Sequence, residues 1–490
     1  RVFLLFSATL WLLGTLYAQQ WLAGDPQRAR CFGFMLAAAA GNLGLCIAQD
    51  VLSFYWLFAL MTFGAWPLVL HRATPAARHA GAVYLVLAVL GETALLLALL
   101  PIAAAGGMLI ADVPAIVAAS PWRDALMALL LIGFGAKIGV LGLHVVLPLA
   151  YAATPVPGAA ILASAMIKAG LLGWLRFLPF GHALPDWGAV FVVLGLAAAF
   201  YGVAIGLAQR APKAILAYSS VSQMGLMTAG VGLGLTVPEA GAAALFALTL
   251  YALHHALAKA ALFLGEGLAR ATAGPARRWV LAALALPALA IAGAPLTGGA
   301  LAKHYLKDLA PFAPWPDAFA TLLTLASIGT TLLMARFLWR VWPSRNDVDD
   351  VRTAGLAMPW LMLLAVMLAG VWLLPPDRAA LLTPAAMSAA ALPLAAGVVL
   401  ALGGGWLMRG RAVELPPGDV LWPLVGVGKR MLAGSTPRTS QQAAAVPAPA
   451  AVRRRRRDPH RLETRLSGSA LNGVLALAGL LLLAGLLALN

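Results

Sequence analysis

Apolar residues run in blocks of roughly 20, the length a helix needs to cross a hydrocarbon core, separated by short polar or Gly/Pro-containing breaks. The blocks fall near 1–22, 31–48, 50–71, 80–105, 122–148, 157–178, 188–208, 211–234, 240–269, 279–308, 317–341, 356–375, 382–408 and 467–489. This pattern predicts an all-α polytopic membrane protein of about fourteen transmembrane helices. The first block begins at Arg1 without a methionine, which leaves room for residues upstream, and no cleavable signal peptide is expected in it. Composition agrees with the pattern. At 62% hydrophobic and 11% charged residues, the chain lies outside the range of soluble domains.

The charges are unevenly placed. If the spans alternate, one membrane face receives Arg28, Arg30, Arg72, Arg78, Arg210, Lys213, Arg270, Arg277, Arg278, Arg340, Arg345, Arg352 and the basic residues from Arg409 to Arg465. The other receives little beyond Arg123, Arg176, Lys307 and Arg378. The net charge of +16 is therefore a positive-inside signature rather than a nucleic-acid footprint. It predicts cytoplasmic basic loops, periplasmic chain ends, an even number of spans and a multi-pass protein of the bacterial inner membrane.

One stretch reads as soluble. Residues 409–466 combine a short amphipathic segment, with Trp422 and Leu424 towards lipid and Lys429 and Arg430 at headgroup level, with a Pro/Ala-rich linker. Arg453, Arg454, Arg455, Arg456 and Arg457 then act as a stop signal for the terminal anchor, bind anionic lipid or an acidic partner, or do both. The anchor, 467–490, has no ionisable side chain. It suits anchoring or the docking of a neighbouring subunit.

Redox and nucleotide chemistry find no footing. Cys31 and Cys46 form no CxxC and stand near no histidine cluster, so no metal or iron–sulfur site is expected. No GxGxxG follows a strand and no Walker A sequence occurs, so no cofactor is expected either. The energy must come from a partner.

Within the spans the ionisable residues are few. Lys137 lies in LIGFGAKIGVLGLH, Lys168 in ILASAMIKAGLLGWLRF, Lys259 in YALHHALAKAALF and Lys303 in GAPLTGGALAKHY. His144 follows Lys137 by seven residues and His255 precedes Lys259 by four, spacings that place each pair on one helical face; His254 adjoins. Glu92 is the carboxylate expected deep in a span, and AYSSVSQMG adds polar support through Tyr218, Ser219, Ser220, Ser222 and Gln223. One such lysine can snorkel to the interface, and one such histidine can be a packing residue. Four lysines at roughly 2.5 to 3.5 kcal/mol each on insertion scales are better grouped around hydrated cavities, where they can exchange protons.

Two helix breaks accompany the lysines. Pro148 follows Lys137 and His144, and Pro295, Gly298 and Gly299 precede Lys303. Interrupted helices are tolerated at membrane depth beside protein or water and recur at ion sites. Lying in the fifth and tenth spans, they suggest a five-helix period that pairs 31–180 with 188–341 as inverted repeats, each with a broken helix. The expected order is a first helix in 1–30, the two repeats, two helices in 354–408, the segment 409–466 and the anchor.

These motifs together resemble the antiporter-like subunits of respiratory complex I, hydrogenase-4/formate hydrogenlyase and Mrp-type cation/proton antiporters. The resemblance extends from the first span to about 341. The Lys137-to-His144 step, the HxxLP-like turn at Pro148 and the following Lys168 match without a gap; AYSSVSQMG is similar to the family's AYSSISHMG, HHALAKAALFL to HALFKALLFL, and GAPLTGGALAK to GIPxLSGFxSK. The resemblance implies a water-linked line of Lys137, Lys168, His255, Lys259 and Lys303, with Lys303 beside an exit. There are departures: Ala59 stands where the family usually has glutamate, and Leu147, Pro148, Leu149 and Ala150 lack the aspartate of its LPDA-like turn. Glu92 or a neighbouring subunit is expected to supply the missing carboxylate.

The implied function is a non-redox, proton-translocating subunit of a multisubunit membrane complex, driven by a peripheral energy-supplying subunit and coupled through changing electrostatics along the lysines. Three alternatives remain open. They are the proton-conducting membrane partner of an inorganic-carbon (CO2/bicarbonate) accumulating complex, an Mrp-like Na+/H+ antiporter subunit, and a paralogue that has lost conduction along with the glutamate.

Overall fold

The computed structural model describes residues 1–342, 353–370, 382–407 and 415–417. In chain order the helices are α1 (Val2–Trp21), α2 (Arg28–Ile47), α3 (Val51–Leu70), α4 (Pro75–Ala104), α5 (Val113–Ala119), α6 (Arg123–Ile138), α7 (Val146–Ala153), α8 (Val156–Ile161), α9 (Ile167–Phe177), α10 (Pro185–Leu207), α11 (Pro212–Thr236) and α12 (Ala240–Ala271). They continue with α13 (Gly274–Ala292), α14 (Gly298–Lys307), α15 (Pro316–Val341), α16 (Thr353–Gly370) and α17 (Pro384–Leu407). Among the described residues the only extended pairing is an isolated bridge between Asp50 and Leu109. Eleven helices or continuous helical segments there are long and apolar enough to cross a membrane. These helices lie in one compact unit, Arg1–Trp422; the second unit, Pro423–Asn490, is outside the described residues. With it lie the expected arginine run and terminal anchor.

The most polar span sits at the centre. Every residue of α11 from Lys213 to Thr236 is buried, although the helix carries Tyr218, Ser219, Ser220, Ser222 and Gln223. Its fit to α10 is made by glycines seven residues apart, Gly188, Gly195 and Gly202 on one helix against Gly225 and Gly232 on the other. A Cβ at Gly225 would stand 2.5 Å from the Gly195 carbonyl oxygen, and one at Gly232 equally close to that of Gly188. Backbone therefore meets backbone, as at small-residue interfaces of membrane helices. Beside this pair, α12 runs 32 residues, about 48 Å at 1.5 Å per residue. It is long enough to carry side chains from one membrane surface to the other.

Two expected single spans are each two helices. α6 ends at Gly139, left-handed at φ +79°, and the chain turns again at Gly142, φ +94°, before α7 starts at Val146. The break thus precedes Pro148, which is the third residue of α7, a first-turn position where a missing N–H has no helical acceptor to lose. His144 leaves the face of Lys137 for the same reason: the helix that would have carried both stops at Ile138. In the second case α13 ends at Gly293, φ +89°, and the chain passes Pro295 to Thr297, whose side chain accepts from the Ala300 N–H. Gly298 and Gly299 are the first residues of α14 rather than the break itself. A Cβ on Gly299 would overlap the Ala290 carbonyl oxygen, so only glycine lets α14 start against the end of α13.

A third irregularity was not foreseen. Residues Leu162–Met166 form a π-helical turn between α8 and α9, directly ahead of Lys168. Such turns widen the helix and re-aim the side chains that follow.

Replacing Gly225 with Val should separate α10 from α11 and destabilise the bundle by about 1 to 3 kcal/mol. The thermal midpoint of the detergent-solubilised protein measures this. An unchanged midpoint would show that the glycine contact contributes nothing.

Candidate functional site

Each interior lysine is held by a neutral acceptor. Lys137 is in the last turn of α6, and its ammonium donates to Thr62 Oγ1 of α3 (3.1 Å) and to the Tyr84 hydroxyl of α4 (3.2 Å). The faces of Phe58 and Tyr84 lie 5.9 and 5.6 Å from it, within cation–π range. Lys137 and Glu92 line one cavity of about 50 Å³, with Tyr151 and Ile167 also in its wall. That is room for several waters. Glu92 is 5% exposed and neither carboxylate oxygen has a hydrogen-bonding partner, so it is the unsatisfied polar group of this chamber. Ala59 is half-buried on α3 and is not part of the wall.

Ile167 joins the chamber to the centre, because the next residue is Lys168. Lys168 is fully buried, and its Nζ shares a hydrogen bond of 2.5 Å with His255 Nδ1, a contact between α9 and α12. Four residues further along the unbroken α12, Lys259 donates to the Leu216 carbonyl of α11 at 2.8 Å. Lys168, His255 and Lys259 are all 0% exposed, and the two ammonium groups are within electrostatic reach of each other. On α11, Ser220 also donates to Leu216 O, while the Ser219 and Ser222 hydroxyls are buried without hydrogen-bonding partners. Gln223 accepts from the Tyr251 hydroxyl (2.9 Å) and donates to Thr330 (3.1 Å). These groups form a buried polar layer between α11, α12 and α15.

At the far end Lys303 donates to the Ala292 carbonyl (2.7 Å), the last residue of α13 before the break. Its side chain lies against Gly293, where a Cβ would be 3.0 Å from the ammonium nitrogen. Lys303 opens on a second cavity of about 100 Å³, which Thr297, Thr324 and Ser327 line together with the small residues of α17. Buried His254 points towards this end: Gly299 packs on its Nε2 and Lys303 is within electrostatic reach.

The structure thus brings Lys137 together with Glu92, Lys168 with His255 and Lys259, and Lys303 with His254. His144 is not brought to Lys137. It is buried among Tyr201 and Tyr218, ring centroids 4.9 and 6.4 Å away, and its Nδ1 accepts from the Gly142 N–H. Sequence reasoning missed Thr62, Tyr84, Tyr251 and Thr330, whose polarity is ordinary until a lysine or glutamine is placed beside them. It also missed Glu266, a second deep carboxylate, 2% exposed and paired with Arg270 at 2.9 Å. The Glu–Arg spacing of i,i+4 in GEGLAR was a readable signal for that pair. Lys213, expected at the aqueous face, is 7% exposed and donates to the Thr154 carbonyl at 2.7 Å. Among the described residues no three His, Cys, Asp or Glu side chains gather as metal ligands.

A bundle of membrane-length helices, two of them interrupted beside buried ammonium groups, defines a multi-pass membrane protein. The chain belongs to the NADH:quinone oxidoreductase/Mrp antiporter transmembrane family, which residues 48–331 match. It is 32% identical over 303 residues to an uncharacterized protein of Mycobacterium tuberculosis, covering 58% of this chain and 47% of the relative. It is 30% identical over 293 residues to hydrogenase-4 component B of Escherichia coli, covering 56% and 44%. The Mrp complex from Dietzia sp. contains a chain of the same fold, with a TM-score of 0.70 at 24% identity, covering 98% of this chain and 55% of that one. The chain spans about half the length of each.

The Lys168–His255 contact yields a stability prediction. His255→Leu leaves the ammonium without its acceptor and should cost about 1 to 3 kcal/mol, while Lys168→Met combined with His255→Leu should recover most of that loss. Thermal midpoints of the four proteins form the cycle, and additive effects would show that the two side chains do not interact.

Proposed function

We propose that the chain is a proton-translocating, non-redox subunit of a larger membrane complex, relaying protons through Lys137, Lys168, His255, Lys259 and Lys303, with Glu92 at the first chamber. The observation that carries the reading is the buried Lys168–His255–Lys259 group, flanked by the Lys137/Glu92 cavity on one side and the Lys303 cavity on the other. An imidazole against an ammonium can accept its proton and pass one on from the other ring nitrogen. Family membership supports the reading, as does a relative named as a hydrogenase component.

Coupling follows from the neutral acceptors. An ammonium held by a carbonyl or a hydroxyl keeps its whole charge, so gain or loss of one proton changes the field at the next site. At 4 Å that field is worth about 1 kcal/mol per unit charge in water and about 4 at an effective dielectric constant of 20. Glu92 is the one carboxylate in the Lys137 chamber. In this reading it takes the role left open at Ala59, and 31–180 and 188–341 are the inverted halves that bring their broken helices to the two ends.

Lys137→Met and Lys168→Met keep volume and remove the proton site. Proteoliposomes holding the whole complex should lose most coupled proton movement in either variant while its subunits still assemble; wild-type transport in both would refute the relay. Glu92→Gln should impair transport, and Ala59→Glu in that background should restore part of it. An unaffected Glu92→Gln complex would move the acid to a partner subunit. Proton movement that depends on a sodium gradient would recast the subunit as an antiporter.

A further inference from the structure

The central lysines have no exposed atom, so a relay through them needs a route by which protons are loaded. A polar stripe on α12 leads from Lys259 to the surface. Glu266 follows Lys259 by seven residues and Arg270 by eleven, which places all three on one side of the helix. Glu266 is 2% exposed and holds Arg270 through two contacts, Nε to Oε1 at 2.9 Å and Nη2 to Oε2 at 3.0 Å. The Arg270 side chain, 23% exposed, opens the stripe outward.

Lys213 completes the group from the facing helix. It is within electrostatic reach of Glu266, Arg270 and Arg72, and its ammonium is held on the Thr154 carbonyl that ends α7. One turn further along α11 is Leu216, whose carbonyl holds Lys259. Lys213 is thus near the Glu266 carboxylate and, along α11, one turn before the residue that holds the first central lysine. The titratable groups facing Glu266 are Tyr17 from α1, Arg72 beyond α3, Lys213 from α11 and Arg270 from α12. Glu266 is one buried carboxylate among three cations, and nothing in the relay described above uses it.

We propose that Glu266 and Lys213 are the proton-loading site of Lys259, with Arg270 as the outer partner of the carboxylate; this rests on the relay reading. A proton from water at that face converts the Glu266 carboxylate to the neutral acid, which gives up its bonds to Arg270. The acid passes the proton to a neutral Lys213 amine, and the re-formed carboxylate pairs with Arg270 again. The Lys213 ammonium then protonates a neutral Lys259 across one turn of α11. Each step moves one proton, and the ion pair closes the route behind it.

The test uses the whole complex in proteoliposomes, with Lys259→Met as reference. Glu266→Gln should assemble and lower proton transport at least tenfold, Glu266→Asp should retain more, and azide, a small weak acid, should restore transport to Glu266→Gln and not to Lys259→Met. Rescue of this kind separates proton delivery from a structural ion pair. Normal transport by Glu266→Gln beside an inactive Lys259→Met overturns the loading site alone; normal transport by Lys259→Met overturns the relay and this inference with it. A Glu266→Gln complex that is slow and not rescued by azide also overturns the loading role. Should Glu266→Gln not assemble, the wild-type complex is treated with dicyclohexylcarbodiimide. Modification of Glu266 that rises as pH falls and tracks the loss of transport supports the proposal, and transport that survives modification, or a Glu266 that is never modified, refutes it.

Discussion

Holding an ammonium group inside an apolar bundle on neutral hydrogen-bond acceptors is the constraint on which the rest of this structure depends. Of the five buried or half-buried lysines among the described residues, Lys137 rests on two hydroxyls, Lys168 on an imidazole, and Lys213, Lys259 and Lys303 on backbone carbonyls. Backbone carbonyls inside a continuous helix are already committed to the i+4 N–H, whereas those at a helix end are not. Thr154 and Ala292 are such ends, the first closing α7 and the second closing α13. The end of a helix also carries partial negative charge, which favours a cation. At the second interruption the break and the lysine are thus one arrangement: the end of α13 supplies an acceptor, and the Lys303 ammonium satisfies a carbonyl that lipid could not.

The same constraint explains why the most polar helix is the most buried. Leu216 holds Lys259 from within α11, and the Ser220 hydroxyl shares that carbonyl in a site buried from lipid. Bringing α11 to the centre requires a neighbour that can approach its backbone, which the glycines of α10 provide. Packing and polarity are therefore set by one helix pair. The Gln223 contacts with Tyr251 and Thr330 extend the layer to α12 and α15.

The lysines and both interrupted spans were legible in the sequence because each violates a strong rule, charge in hydrocarbon or proline and glycine inside an apolar run. What stayed hidden was relational. Thr62 and Tyr84 are unremarkable residues of α3 and α4 until Lys137 is placed between them, and no spacing along the chain connects them. His144 was misplaced because heptad spacing implies a shared face only if the helix continues, and Gly139 and Gly142 end it. The exact site of the break followed glycine rather than proline, since a left-handed residue stops a helix while a first-turn proline is compatible with starting one. Glu266 lay in view inside an expected span. It was passed over because a carboxylate near the end of a long helix reads as an interfacial charge until α12 proves long enough to bury it.

Among the described residues the deep carboxylates Glu92 and Glu266 have surroundings that differ in kind. Glu92 shares a cavity with Lys137 and has no hydrogen-bonding partner, so its charge state is governed by whatever water and cation enter that chamber. Glu266 is clasped by Arg270 in a packed site, so its charge state is governed by whether that clasp is closed. The pair combines one charge-assisted hydrogen bond, Arg270 Nη2 to Glu266 Oε2, with an Nε–Oε1 ion contact, and protonating the carboxylate removes the charge that both depend on. The first arrangement responds gradually to the field of its neighbours, and the second behaves as a switch. A relay that placed a switch at its loading end and a responsive acid at the chamber of Lys137 would admit protons in discrete steps while leaving the chamber sensitive to charge elsewhere in the complex, and that is the division of labour the two environments favour.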